Sequence, residues 1–123
     1  MKLVFAGTVI LFWLQSQMFA ADETGRYYDG GGIGATPCVE FVSAMEAARR
    51  HTYRSVSYWK EIDGYVSYVA GFWTGFNYGW RGRQNIFDGW GIEEILGKLE
   101  GVCRENPNAQ FHHSLVLLIS PRK

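Results

Sequence analysis

The sequence predicts an all-α fold, a small four-helix domain closed by one disulfide between Cys38 and Cys103. Three observations carry that expectation. Apolar residues recur at three- and four-residue spacing through four separate stretches. No period-two alternation or Asn-Gly hairpin signal competes with them. The chain holds two cysteines, and both lie downstream of a segment that reads as an export signal.

That segment runs from Met1 and Lys2 through LVFAGTVILFWL (3–14) and the polar step Gln15-Ser16-Gln17 to the small residues Ala20 and Ala21. A basic start, an apolar centre and a small-residue end make the layout of a secretory signal peptide. Cutting after Ala20 leaves Met18 at the minus-three position, where a small side chain is normal, so an uncleaved anchor stays open as the alternative. The uncharged run approaches the ~20 apolar residues of a spanning helix. The expected organisation is a signal peptide over 1–20, a flexible Gly-rich arm over 21–35 and a helical domain over 36–120. The expected location is periplasmic or secreted, with membrane contact only if the first segment is retained.

Removing residues 1–20 leaves enough chain for one domain and too little for two. Lys and Arg number twelve against twelve Asp and Glu. Loss of Lys2 makes that eleven against twelve, with both signs interleaved, which favours neither nucleic acid nor an anionic membrane as partner. An exported protein with an even cysteine count normally pairs its thiols. No Cys-x-x-Cys is present to point to redox work.

Residues 21–35 (ADETGRYYDGGGIGA) offer too little apolar surface to offset the entropy of ordering. The string GGGIG lacks the preceding strand, the Lys-Ser/Thr pair and the G-x-G-x-x-G spacing of a nucleotide loop. The first helix is expected to start with Thr36 as N-cap and Pro37 at the first helical position, where a missing N–H costs nothing. Cys38, Phe41, Val42, Met45 and Ala48 form its apolar face, and Glu40, Arg49 and Arg50 suit its dipole. Residues 51–57 are polar and aperiodic, which predicts a connection or a frayed helix end.

The second helix carries the widest stripe: Ile62, Tyr65, Val66, Val69, Phe72, Trp73, Phe76 and Trp80. Ser67, Gly71, Gly75 and Gly79 recur every four residues along it, a pattern that predicts close approach of a neighbouring helix inside the domain. Its aromatic residues Tyr65, Tyr68, Trp73, Tyr78 and Trp80 could stack on a ligand, although core filling is their commoner use. Residues 81–91 (RGRQNIFDGWG) read as an exposed loop. Arg81, Arg83, Phe87 and Trp90 are its candidate partner contacts, because Arg and Trp are favoured interface anchors. A solvated turn with Trp90 folded onto the core is the alternative.

Ile92, Ile95, Leu96, Leu99, Val102 and Cys103 share one face of a third helix. Glu93 and Glu94 occupy its first turn and Arg104 its last. Pro107 ends it. A shorter fourth helix follows from Asn108 to about Ile119, with Phe111, Leu115 and Leu118 spaced to pack. Cys38 then sits in the first turn of one helix and Cys103 in the last turn of another, positions that meet if the two run antiparallel.

Little in the chain points to catalysis. His112 and His113 diverge by about 100° on a helix, so they cannot readily share an ion, and they are expected to be solvated. His51 is distant in sequence, and no metal site is expected. There is no G-x-S-x-G elbow, and the cysteines are consumed by their bond. The expectation is a non-enzyme with no catalytic residues and no cofactor, acting on a protein partner or on denatured client proteins.

An early cysteine, a Gly- and aromatic-rich central helix (YVAGFWTGFNYG) and a late GVCRENP followed by one more helix resemble the HdeA/HdeB-type small exported proteins. The layout spans Pro37 to Ile119 and is also similar to periplasmic immunity proteins that neutralise peptidoglycan amidases. The first resemblance implies an acid-stress chaperone whose fold loosens at low pH and exposes apolar surface to denatured clients. The second implies an immunity or inhibitor protein that binds an exported toxin or hydrolase. A structural or membrane-anchored subunit is the third expectation, tied to retention of the N-terminal segment.

Overall fold

The computed structural model describes residues 31–79 and 85–122. The predicted signal peptide, the arm as far as residue 30, and Trp80, Arg81 and Arg83 lie outside the described residues. Four helices form the fold: α1 (Cys38–Arg49), α2 (Val56–Gly79), α3 (Ile92–Glu105) and α4 (Phe111–Ile119). Short 3-10 turns precede α1 at Gly32–Ala35 and follow α4 at Ser120–Arg122. Among the described residues there is no strand, only an isolated antiparallel bridge between Pro37 and Gln110. None of the described helices is long and apolar enough to cross a membrane.

The stripes read from the sequence meet in one core. Phe41 and Met45 of α1, Ile62 and Val69 of α2, Ile95, Leu96 and Leu99 of α3, and Phe111, Leu115 and Ile119 of α4 are all buried. At the centre the Phe41 ring lies 4.9 Å from that of Tyr65 and 4.7 Å from that of Phe111. Full burial of a ring or branched side chain of this size contributes about 1.5–3 kcal/mol, so this contact anchors α1, α2 and α4 together. Cys38 and Cys103 are disulfide-bonded with Cα atoms 4.9 Å apart, tying α1 to α3 across a separation of 65 residues.

Several local expectations differ from what forms. Thr36 is not the cap of α1; its hydroxyl donates to the Ile33 carbonyl at 2.7 Å, and Pro37 occupies the N-cap position. Backbone from the α3–α4 connection takes over the capping task. The Ala109 and Pro107 carbonyls accept from Cys38 N–H at 2.7 Å and Val39 N–H at 3.1 Å, while Phe111 N–H donates back to the Thr36 carbonyl at 2.8 Å. Donors that a side chain would have covered are met by a segment some 70 positions downstream, which also produces the Pro37–Gln110 bridge.

α2 begins at Val56, earlier than its apolar stripe implies, because the Ser55 hydroxyl accepts from Tyr58 N–H at 3.1 Å and caps the helix. The C-terminal part of the expected arm is ordered: Gly32–Ala35 is a 3-10 turn with Gly34 buried. Gly34 lies so close beneath the Tyr68 ring that a Cβ there would overlap it, and a Cβ at Gly64 would collide with Ile33. These are the close approaches that glycine permits here. At Gly71, Gly75 and Gly79 a Cβ would meet nothing within 4 Å among the described residues, so the four-residue ladder does not seat a helix of the described domain.

Candidate functional site

Three features outside the plain core could act on other molecules: the described part of the 81–91 loop, the far end of α2, and a charged cluster between α1 and α3. The loop is tied down by an asparagine. Asn85 Oδ1 accepts from Trp73 Nε1–H at 2.5 Å, Asn77 Nδ2–H at 3.3 Å and Phe87 N–H at 3.1 Å. Asn77 Oδ1 in turn accepts from Ile86 N–H at 2.7 Å. This knot drives Ile86 and Phe87 wholly into the core. Phe87, expected as a surface contact, is therefore a core residue, held edge-on by Trp73 at 5.5 Å.

Trp90 is half-buried and stacks on Phe87 at 6.0 Å, with the Lys98 ammonium 4.6 Å above its ring. Of the four predicted contact residues, the structure thus brings Phe87 and Trp90 together. It turns them toward α2 and α3.

The end of α2 behaves differently. From Ala70 to Gly79 it carries no charged residue, and Ala70, Gly71, Thr74, Gly75, Tyr78 and Gly79 are exposed, Tyr78 almost completely at 97%. Phe72 and Phe76 stack at 5.8 Å and are half-buried. A shallow groove of about 370 Å³ lies along Ser67, Tyr68, Gly71 and Phe72, and another of about 400 Å³ along Trp73, Thr74, Asn77 and Tyr78. Of the predicted stacking residues, Tyr65 is buried and fills the core, whereas Tyr68, Trp73 and Tyr78 border these grooves.

The charged cluster was not legible as a site. Glu100 is 5% exposed yet fully partnered: Arg49 grips its carboxylate with both terminal guanidinium nitrogens, Nη1 at 2.9 Å, and Arg104 Nη2 adds a bond of 2.8 Å. Arg104 also reaches Glu46 at 3.1 Å. Burial works to raise the Glu100 pKa, but the hydrogen bonds and charges of Arg49 and Arg104 outweigh it and hold the carboxyl below its ordinary value. Donating to the Glu100 carboxylate raises the pKa of both arginines. The cluster joins the last turn of α1 to α3, and beside it Val39, Val42, Cys103, Arg104 and Pro107 line a groove of about 240 Å³.

A second, exposed cluster holds the α1–α2 connection. Tyr53 donates to Glu93, and Arg54 Nε–H donates to the other Glu93 oxygen at 2.7 Å. The Tyr53 hydrogen bond, then that of Arg54, lowers the Glu93 pKa. Arg54 takes the left-handed conformation, φ 61°, to make this contact.

His112, expected in solvent beside His113, is buried instead, with Nδ1 3.0 Å from the Gly34 carbonyl, whereas its neighbour His113 is exposed. The turn at Gly32–Ala35 gives that ring its backbone partner. His51 lies 3.1 Å from Glu61 at the surface. No grouping of three or more His, Cys, Asp or Glu among the described residues could hold a metal ion. Comparison with family models, with curated proteins and with solved structures finds no match for this chain.

Proposed function

We propose that this chain is a periplasmic or secreted acid-stress chaperone of HdeA-like type, which holds denatured client proteins on apolar surface uncovered when its fold loosens. The observation that carries the reading is a ring-rich core, Phe41, Tyr65 and Phe111, closed by one covalent tie between α1 and α3. In strong acid the carboxylates are neutral while the basic side chains keep their charge, and the resulting repulsion expands a fold. A bond that encloses most of the domain limits that expansion and keeps it reversible. An acid-loosened, tethered state with exposed aromatic rings is what a reversible holdase requires.

The test is an acid titration of the purified protein, followed by near-UV CD and a dye that binds apolar surface, with suppression of client aggregation measured at about pH 2–3, where compact acid states form. Loss of near-UV signal, dye uptake and client protection should coincide and reverse on neutralisation. A near-UV spectrum unchanged down to the lowest pH removes the reading.

One observation favours a second reading, an immunity or inhibitor protein for an exported toxin or hydrolase. The uncharged, exposed end of α2 presents a helical surface bordered by Tyr68, Trp73 and Tyr78. Rigid aromatic residues of this kind make good interface anchors. An exported hydrolase encoded beside this chain, inhibited by it at neutral pH, would establish that reading in place of the first.

A further inference from the structure

We propose that Glu100 is an acid-released latch between α1 and α3, and that its release leaves α1 pivoting on the Cys38–Cys103 bond. The two ties hold opposite ends of α1. Cys38 is its first residue, whereas Glu46 and Arg49 lie eight and eleven positions on, about 12 and 16 Å along the axis at 1.5 Å per residue. Between them sit Phe41, Met45 and Ala48, the buried face of the helix. The covalent tie is indifferent to pH. The ionic one is not.

The charged and titratable groups around the latch are Arg49 and Glu46 of α1, Tyr58 of α2, which acts on Arg49, and Arg104 of α3 itself. No group of α4 acts on the charge of Glu100. When Glu100 takes a proton, the two-pronged Arg49 bond loses its charge assistance. Arg104 is then left with exposed Glu46, where water competes for it. The neutral carboxyl no longer offsets the charge of Arg49 or Arg104, both half-exposed, so each guanidinium is better solvated when the helices part.

The direction in pH follows from the lowered carboxyl. Its contribution is fully present above the unfolded value of about 4.3 and is lost as pH falls through the lower folded value. Opening at this end would uncover Met45 and Ala48, the buried residues of that part of α1, while the Cys38 end stays joined.

This deepens the acid-chaperone reading by supplying its trigger, and the experiment separates the two. Amide hydrogen-exchange protection of the 45–49 and 38–42 parts of α1 is measured from pH 7 to pH 2 for the full chain and for Glu100→Gln. In the unsubstituted protein, protection over 45–49 should fall at least tenfold on acidification before that over 38–42 changes. In Glu100→Gln the low protection over 45–49 should already be present at pH 7 and stay flat as pH falls.

If Glu100→Gln does not fold, Arg49→Gln serves. It leaves the buried carboxylate with Arg104 alone, so the acid midpoint of the 45–49 segment should move to higher pH. The same pH dependence in the unsubstituted protein and the foldable variant, or loss of both parts of α1 together, overturns the latch. A shifted midpoint with no protection of clients keeps the latch and removes the chaperone.

Discussion

The disulfide should supply about 4 kcal/mol of the domain's stability, and that figure follows from where its ends lie. Cys38 and Cys103 are 65 positions apart. In the chain-entropy treatment, a closed loop of that length removes roughly 14 to 15 cal/mol/K from the unfolded ensemble, about 4 kcal/mol at 25 °C. Small domains have a total stability of about 5–15 kcal/mol. The variant to make is Cys38→Ala with Cys103→Ala, because both cysteines are fully buried and serine would bring in two hydroxyls needing partners. Thermal unfolding followed by far-UV CD at neutral pH should show the midpoint lowered by about 15–30 °C, taking 4–8 °C per kcal/mol for a domain this size. Reduced, unsubstituted protein should melt close to the double variant. A double variant that melts within about 5 °C of the oxidised protein, a change of order 1 kcal/mol, refutes the argument.

Four further sets of substitutions test the local accounts. Gly34→Ala should lower stability by about 1–3 kcal/mol, because its Cβ overlaps the Tyr68 ring. Gly71→Ala with Gly75→Ala should instead raise it, by up to about 1 kcal/mol at each position, since space is open there and alanine is the better helix former; denaturant titration reads both. At Arg54, φ 61°, both Arg54→Ala and Arg54→Gly lose the Glu93 bond, so urea melts should place the glycine variant above the alanine variant by about 1 kcal/mol, the relief of left-handed strain. Asn85→Ala strips acceptors from Trp73 Nε1 and Phe87 N–H, and should cost about 1–3 kcal/mol with a change in tryptophan fluorescence.

What the sequence made readable, and what it hid, divides by the range of the interaction. α3 is the clearest case: a strict apolar face, acids in the first turn and Arg104 in the last predict a helix that forms as Ile92–Glu105. All of that information sits within fourteen residues. The Ser55 cap of α2 was local too, and a serine three residues before Tyr58 would have revealed it. Glu100 could not be found this way. Its partner Arg49 is 51 positions off on another helix, and an i,i+4 match to Arg104 looks identical on a solvated face. The burial of His112 depends in the same manner on a carbonyl 78 positions away, and Thr36 loses its capping role to Ala109 and Pro107.

The stripe on α2 shows a different limit, one of length. Its periodicity identifies the inward face correctly, yet periodicity says nothing about how far along the helix an inward face has something to meet. α2 has 24 residues, whereas α1, α3 and α4 have 12, 14 and 9. At 1.5 Å per residue the first extends about 36 Å against about 21 Å for the longest of the others. A helix that outruns every neighbour by nearly three turns must carry its last part past the bundle. Full burial therefore stops at Val69, and Phe72, Trp73 and Phe76 remain half-covered, with the Asn85 knot bringing Phe87 against Trp73. The relative lengths of the four periodic stretches were in the sequence throughout. Comparing them would have separated the glycines that permit contact, Gly34 and Gly64, from those that face open space, Gly71, Gly75 and Gly79.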